Sequence, residues 1–300
     1  MSKQPLVSVI INCFNGEMYL REALNSVIAQ TYKNWEIIFW DNQSTDQSAG
    51  IFKSYNDIRL KYYYASSYTS LYQARNYAIK KCNGEFIAFL DSDDWWTSEK
   101  LEIQMNLFED KEVGLVYSNY YIYNEETQRK KLVSKKKLPS GTVTNSLLTN
   151  YNVGIITVII RKVLFDRFKD GFDGKYNIIG DFDFIIKLSK FSKFACIQTG
   201  LSYWRSHKNN SSYINYELEI NELEDWLTNQ KVFDKSKFYN LLKNIKLKIT
   251  YMIIINNILN GNLKKAVKDI ISFPLSLKKI RLIMALLITK KFLKKIKNIN

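Results

Sequence analysis

The segment Phe86-Ile87-Ala88-Phe89-Leu90 is an uninterrupted apolar run, long enough for one buried strand, and it ends in Asp91-Ser92-Asp93-Asp94. Three carboxylates within four positions repel one another unless they are solvated or share a cation. Hard divalent ions such as Mg2+ and Mn2+ choose carboxylate oxygen. In open α/β sheets, ligands bind just beyond the carboxyl ends of the strands, where these aspartates fall. A solvated acidic turn capping the next helix explains the charges alone, so the surrounding pattern decides between the two.

That pattern alternates. Val7–Ile11 is a β-branched apolar run, and Leu20, Ala23, Leu24, Val27 and Ile28 then recur at helical spacing. Trp35–Trp40 is a second run, ending in the turn-forming and helix-capping cluster Asp41-Asn42-Gln43-Ser44-Thr45-Asp46. Ile58–Ala65 reads as a third strand, Leu71–Cys82 as a helix stopped by Asn83-Gly84, and Glu85–Leu90 as the fourth strand. Ser98 then caps a helix through Phe108, and Val113–Tyr117 follows as a strand. Strands alternating with helices of about a dozen residues imply βαβ units, an α/β class and a mostly parallel sheet. After residue 120 the regularity fades. Arg129–Lys137 carries six basic residues and reads as an exposed loop or hairpin; Val153–Ile160 is strand-like, Asp181–Phe191 helical and Ala195–Trp204 strand-like. From about Tyr216 the pattern is helical.

Composition bounds the rest. Three hundred residues, 46% hydrophobic and 14% aromatic, exclude a disordered chain and suit one large domain with an appendage, or two domains. Cys13, Cys82 and Cys196 are odd in number and scattered, which fits neither a disulfide framework nor a zinc site and points to a reducing compartment. Val7-Ser8-Val9-Ile10-Ile11 is too short for a signal-peptide core, so a cytoplasmic location is expected. The net charge of +15 is uneven: residues 241–300 hold fourteen Lys or Arg against a single acid, Asp269. No nucleic-acid recognition motif accompanies them. A basic tail interleaved with apolar residues instead suits an anionic membrane surface. Tyr251–Ile255 and Leu282–Ile288 are too short to cross a bilayer, which takes about 20 apolar residues, but they could lie in its interface or pack on the core.

Taken with their spacings, the strand-one segment Val7–Asn15, the Asp41…Ser44-Thr45-Asp46 block, Ala74-Arg75-Asn76, Gly84–Leu90 and Asp91-Ser92-Asp93-Asp94 with Trp96 resemble the family 2 glycosyltransferases. These are inverting enzymes of the GT-A fold, a Rossmann-like sheet with helices on both faces. The resemblance covers residues 5–118 and thins out by about 212. It implies a GT-A domain over 1–215, with 1–120 as the nucleotide-sugar half and 121–215 as the acceptor half; the helical pattern and the basic charge then make 216–300 a basic amphipathic helical extension. It further implies that Asp41 reads the base or ribose and that Asn12, Cys13, Phe14 and Asn15 line the nucleoside. Arg75 and Ser92 would lie near the nucleoside or diphosphate, and Asp91 and Asp93 would be the metal-binding Asp-x-Asp motif with Asp93 the direct ligand. Two positions depart from the family pattern: Asn12 stands where Pro is usual, and Asn42 where a second Asp is common.

The catalytic base should lie in the second half. Ile179-Gly180-Asp181-Phe182-Asp183-Phe184 resembles the family's Glu-Asp motif, with Gly180 in the place of Glu, which makes Asp181 the base and Asp183 the fallback. Inverting transfer needs one carboxylate to take the acceptor proton as oxygen attacks from the face opposite the leaving diphosphate. Asp181 as a simple helix N-cap is the structural alternative. The single histidine, His207, falls in Arg205-Ser206-His207 at a distance behind the base motif seen in relatives, which implies a metal or phosphate role for His207 and a diphosphate contact for Arg205. Trp95, Trp96 or Trp204 could bound an acceptor cleft.

The expectation is therefore an inverting, Mn2+- or Mg2+-dependent glycosyltransferase at the cytoplasmic face of a membrane. It would move a sugar from a nucleotide-diphosphate donor, UDP-linked in the first instance, to a hydroxyl of a lipid-linked or growing surface glycan such as capsule or lipopolysaccharide. A sugar nucleotidyltransferase would want a Gly-rich phosphate loop, yet Asn12–Gly16 has one glycine. An inactive, membrane-associated scaffold would have lost the acidic sites, and Asp41, Asp91, Asp93 and Asp181 are all present. A dinucleotide-binding dehydrogenase is excluded, since Gly-x-Gly-x-x-Gly is absent from the first βα turn.

Overall fold

A computed structural model describes residues 4–168, 171–208, 210, 215–230 and 238–287. The chain divides into two compact units, Met1–His207 and Lys208–Asn300. In the first, strands β1 (Val7–Cys13), β2 (Trp35–Asp41), β3 (Leu60–Tyr64) and β4 (Phe86–Phe89) pair in parallel in the order β3-β2-β1-β4. Every residue of β1, β2 and β4 is buried. That is why these segments read as continuous apolar runs: helices cover both faces of a parallel sheet. The helices α1 (Leu20–Ile28), α2 (Ser48–Lys53) and α3 (Leu71–Ile79) are the crossovers. On α1 the buried set Leu20, Ala23, Leu24 and Val27 is the one that its spacing predicts. Ser70 caps α3 through a reciprocal box with Gln73.

The second half changes direction. After the short β5 (Trp95–Trp96), α4 (Lys100–Met105) leads into β6 (Val113–Asn124), which turns back as β7 (Arg129–Leu132). Helices α5 (Thr144–Thr149), α6 (Lys162–Arg167) and α7 (Gly180–Leu188) flank β8 (Ile159–Arg161), and β9 (Lys193–Ser206) closes the unit. The sheet order is β3-β2-β1-β4-β8-β6-β9-β5, with β7 on β6. Strand β8 is antiparallel to both β4 and β6, while β6 and β9 are parallel. Two reversals restore the original direction, so β1, β2, β4, β6 and β9 all end at one rim.

Several expectations shift. Val153–Ile160 is mostly loop and a 3-10 turn (Ile155–Thr157), with the strand confined to Ile159–Arg161. The segment is apolar because it is buried against β4 and β6, not because it is extended. Ser98 does not cap α4: its hydroxyl donates to Glu99 Oε1 (2.7 Å), and no side chain caps that helix. The basic stretch resolves as hairpin strand β7 and its continuation.

The second unit is helical where described, at Tyr216–Asn229, Tyr239–Leu259, Leu263–Ser272 and Leu277–Leu287. Ile254, Ile258, Ala266, Ile270, Phe273, Leu282 and Ala285 form its core. No described helix is long and apolar enough to cross a membrane. Ile288 and the expected basic residues Lys290, Lys291, Lys294, Lys295 and Lys297 lie outside the described residues.

One core residue of the first unit is costly. Lys100 is fully buried on α4, with its ammonium 4.1 Å from the Trp96 ring centroid and no hydrogen-bond partner among the described residues. Burial drives its pKa well below the ordinary 10.5. Between the depressed folded value and 10.5 the unfolded chain holds the extra proton, so stability should rise with pH across that window. Lys100→Met should flatten this rise and stabilise the fold at neutral pH by about 1–3 kcal/mol. Urea titrations of both proteins at pH 7 and pH 10 check it; equal pH dependence would show that Lys100 is not desolvated.

Candidate active site

The rim gathers the residues singled out in the sequence. The β1–α1 loop is laced to the β2–α2 loop: the Asn15 N–H donates to Ser44 Oγ (3.0 Å), and Asn15 Oδ1 accepts from the Thr45 N–H (2.8 Å). Gly16 N–H donates to Ser48 Oγ (2.9 Å), and Glu17 N–H to Asp46 Oδ2 (2.9 Å). Asn15 takes a left-handed φ of 53°, a conformation that Asn tolerates. At Gly16 a Cβ would stand 2.8 Å from Cys13 Sγ and 3.0 Å from Ser92 Oγ, so only glycine lets this loop lie against the aspartate turn. Phe14 is half exposed and packs edge-on against Tyr68, with centroids 4.9 Å apart.

Asp41 ends β2 fully buried, its Oδ1 accepting from the Ser44 N–H (2.7 Å) and its Oδ2 from the Tyr62 hydroxyl (2.6 Å). In this structure it fastens the strand end. Asn12 behaves differently. It is 8% exposed, and among the described residues neither its amide N–H nor its carbonyl finds a partner. Its register partner Trp40 shares that face of the sheet and leaves its indole N–H equally unpaired. Buried polar groups without partners are uncommon, and here two lie side by side near the strand ends. Trp40 was not anticipated, because an indole within an apolar run reads only as core.

Arg75, on α3, is 2% exposed and reaches Asp91 Oδ1 at 2.5 Å, with its guanidinium 5.2 Å from the Tyr72 ring centroid. Desolvation raises the Asp91 pKa; the Arg75 charge opposes this, and repulsion from Asp93 adds to it. Asp93 Oδ2 lies 2.9 Å from His207 Nε2. No group of three or more His, Cys, Asp or Glu side chains assembles a metal cage among the described residues. The Asp93 carboxylate supplies oxygen of the kind that Mg2+ and Mn2+ take alongside a bound diphosphate, and the neighbouring imidazole could add a nitrogen ligand to a Mn2+ ion. Asp91 is engaged by Arg75 and stands back from that pair.

Arg205, expected beside a diphosphate, turns inward. Its backbone N–H donates to Asp94 Oδ1 (2.7 Å) and its Nε to the Asp93 carbonyl (2.9 Å), while a terminal nitrogen pairs with Glu22. Its guanidinium lies 4.4 Å from the Tyr19 ring centroid and 4.5 Å from that of Trp95. The end of β9 therefore holds the Asp93 turn in place. Glu22 and Tyr19 were missed because on α1 they show only an ordinary helical surface.

Asp181 sits in the first turn of α7, where Ile179 is the N-cap, so the capping alternative does not hold. Its Oδ1 accepts from the Phe182 N–H (2.7 Å) and lies 3.3 Å from the Tyr72 hydroxyl, which also donates to Ile178 O (2.9 Å). Desolvation raises its pKa, tempered first by the Arg75 charge and then by these hydrogen bonds. A Cβ on Gly180 would stand 2.5 Å from the Tyr72 ring, which accounts for glycine at this motif position. Asp183 faces elsewhere: it is buried and paired with Lys187 at 2.6 Å. Of the tryptophans, Trp96 is buried with its indole donating to Ile156 O (2.9 Å), and Trp95 stacks on Tyr203 at 4.8 Å; Trp204 remains half-buried. The described chain also has a cavity of about 310 Å3, lined by Glu85, Phe86, Arg161, Lys162, Val163 and Asp166, at the opposite end of β4.

Comparison with known proteins identifies the family and the fold. The family model described as Glycosyl transferase family 2 matches residues 8–170. The Escherichia coli protein WfgD, a UDP-Glc:alpha-D-GlcNAc-diphosphoundecaprenol beta-1,3-glucosyltransferase, is 35% identical over 163 residues, covering 54% of this chain and 63% of its own. The Bacillus subtilis putative teichuronic acid biosynthesis glycosyltransferase TuaG is 31% identical, covering 52% and 62%. The chain thus spans somewhat under two thirds of the length of these relatives. Among solved structures, Staphylococcus aureus TarS 1-349 in complex with UDP superposes with a TM-score of 0.61 at 20% identity over 81% of this chain and 71% of its own. The mannosyltransferase PcManGT from Pyrobaculum calidifontis, in complex with GDP-Man and Mn2+, gives 0.64 at 15% identity over 99% and 88%. At these identities the likeness speaks for a shared GT-A-like fold.

Removing the inward-turned guanidinium should loosen the aspartate turn. Arg205→Met is expected to cost roughly 1.5–3 kcal/mol, the range for hydrogen bonds to charged groups, in a denaturant titration. A loss below about 0.5 kcal/mol, within the scatter of surface substitutions, would show that the clamp is not holding the turn.

Proposed function

The chain belongs to glycosyl transferase family 2, and on that premise we propose that it transfers a sugar, with inversion, from a UDP-linked donor to a hydroxyl of a lipid-linked surface glycan. The observation that carries the reading is the convergence at one rim of Arg75, Asp91, the Asp93–His207 pair and Asp181, contributed by four separated stretches of chain. The relative WfgD acts, by its name, on a GlcNAc-diphosphoundecaprenol acceptor with a UDP-glucose donor, and that chemistry is the model for this chain.

The nucleoside lies over the tips of β1 and β2, where Phe14 with Tyr68 offers it an aromatic face above the buried Asn12 amide and Trp40 indole. Cys13, Asn15 and Ser92 line the same edge, and Asp41 acts from beneath by fixing the loop. Asp93, with His207 beside it, would hold Mn2+ or Mg2+ together with the donor diphosphate. The bound cation supplies charge stabilisation to the departing diphosphate. Arg75 keeps Asp91 paired, so that it does not add a second uncompensated charge beside that group.

Asp181 accepts the proton of the acceptor hydroxyl at its carboxylate as that oxygen attacks the anomeric carbon. Burial raises its pKa, which makes it a stronger base than an ordinary aspartate. Asp183 is unsuited to this task because its charge is committed to Lys187.

The second unit docks on an anionic membrane surface. Leu275, Leu277, Ile280, Met284 and Leu287 are all more than half exposed, and Lys278, Lys279 and Arg281 stand among them. This is the composition of a helix lying in the interface. The cytoplasmic leaflet is where a UDP-linked donor and a lipid-diphosphate acceptor meet.

Three outcomes are expected. In a thermal-shift screen, UDP-sugars with Mn2+ should raise the melting temperature of the wild type, and Asp93→Ala should abolish the Mn2+-dependent part; an unchanged Mn2+ effect would remove Asp93 from the site. Asp181→Asn should keep donor binding and lose about 10²–10⁴ in kcat. The wild-type rate should fall as pH drops through the raised Asp181 pKa, giving an acid limb above the ordinary 3.8, and turnover in Asp181→Asn near the wild-type level would reassign the base. Leu275→Ser with Leu277→Ser should weaken co-sedimentation with anionic vesicles, and salt should weaken it further; undiminished sedimentation would end the membrane reading.

A further inference from the structure

The β6–β7 hairpin sits at the rim, and its role is not explained by donor binding. Strand β6 ends there at Asn124, the chain turns through Glu125–Gln128, and β7 leaves the rim starting at Arg129. The registers place residues in rows across three strands. Lys131 is opposite Ile122, which pairs with Trp204, and Arg129 is opposite Asn124, which pairs with Ser206. Register partners share a face of a sheet, and alternate residues along a strand return to it. Tyr120, two residues before Ile122, is on that face as well. Its hydroxyl feels the Asp181 charge, and its ring lies where a Cβ on Gly154 would be 3.2 Å away. Thus one surface carries, in order, the Asp181 neighbourhood, a half-buried apolar step of Ile122 and Trp204, and two exposed cations.

Those cations are uncommitted. Neither Arg129 nor Lys131 forms an ion pair among the described residues, and residues 127–165 contain no acid. Lys130 points to the other face, where its ammonium lies 5.1 Å from the Tyr121 ring centroid and 3.4 Å from the Tyr203 hydroxyl. Adjacent strands are about 4.8 Å apart, so the backbone of Lys131 is roughly 10 Å from that of Trp204. This is the reach of one sugar ring plus the first group attached to it.

We propose that Trp204 and Ile122 form the platform for the acceptor sugar, and that Arg129 and Lys131 bind the diphosphate joining that sugar to its lipid. Aromatic faces suit the apolar side of a sugar ring, and a guanidinium pairs with phosphate oxygens bidentately. The occupant is a sugar-1-diphosphate rather than a bilayer headgroup, because the two cations stand at the end of a platform leading back to Asp181. This assignment rests on the transferase reading and names the acceptor class for the same site.

The test compares two acceptors of equal sugar: N-acetylglucosamine α-diphosphate on a short alkyl chain, and the neutral alkyl glycoside of N-acetylglucosamine. Dissociation constants are measured calorimetrically with UDP present, and KM values in transfer assays. The double variant Arg129→Gln, Lys131→Gln should weaken the diphosphate acceptor at least tenfold, leave the neutral glycoside within twofold, and flatten the salt dependence of the former. Trp204→Ala should weaken both acceptors, with the melting temperature reporting that each variant folds. Equal effects of the double variant on both acceptors would overturn the proposal. So would an unchanged diphosphate acceptor, or a loss seen only as weaker sedimentation with anionic vesicles. If the wild type binds no UDP-sugar, the transferase reading fails by itself, while the calorimetric comparison without nucleotide still tests the two cations.

Discussion

The site depends on how a concentration of negative charge is made tolerable at the end of a buried sheet. Asp91, Asp93 and Asp94 follow one another at the rim, and each is handled differently. Asp91 is paired with a guanidinium that is itself buried, Asp93 faces an imidazole, and Asp94 spends one oxygen on the backbone of β9. Only Asp93 has, among the described residues, neither a guanidinium nor a backbone N–H on its carboxylate and is met by an imidazole instead. Removing one partner of a buried pair leaves the other uncompensated, which costs far more than the pair contributes. The three solutions therefore hold the donor turn, α3 and the end of β9 in one arrangement, and the position of the Asp93 carboxylate is a property of that whole network.

Much of this was legible in the chain itself. Strands β1, β2 and β4 are buried on both faces, so they stand out as short apolar runs, and the buried face of α1 follows directly from its spacing. The clusters after the strands fall at the rim because parallel strands carry their carboxyl ends to one side. Asp91 and Asp93 could be placed at the rim on this ground, Arg75 and Asp181 only through the family resemblance, and the structure sets Arg75 against Asp91 with Asp181 in the same electrostatic neighbourhood.

The remainder depends on partners distant in sequence. Nothing near Arg205 signals that its guanidinium turns toward Glu22 and the Asp93 carbonyl, since that contact links residues more than a hundred positions apart. Asp41 looks like a ligand-reading carboxylate until Tyr62 and Ser44 are seen to occupy it. Gly180 looks like a defect in its motif until the Tyr72 ring fills the space beside it. The strand-like composition of Val153–Ile160 records burial, which the local pattern does not distinguish from extension.

Strand β8 is only three residues long, yet it is the hinge of the topology. Lying reversed between β4 and β6, it joins the first four parallel strands to the later ones through a handful of main-chain bonds on either side, while the Arg205–Glu22 contact ties the same two parts at the rim. Loops and hairpins beyond these ties can vary in length and chemistry without entering the register of β1 to β4. An architecture of this kind can keep one leaving-group apparatus while trading its recipient, which is what a repertoire of surface polymers built from a few activated sugars requires.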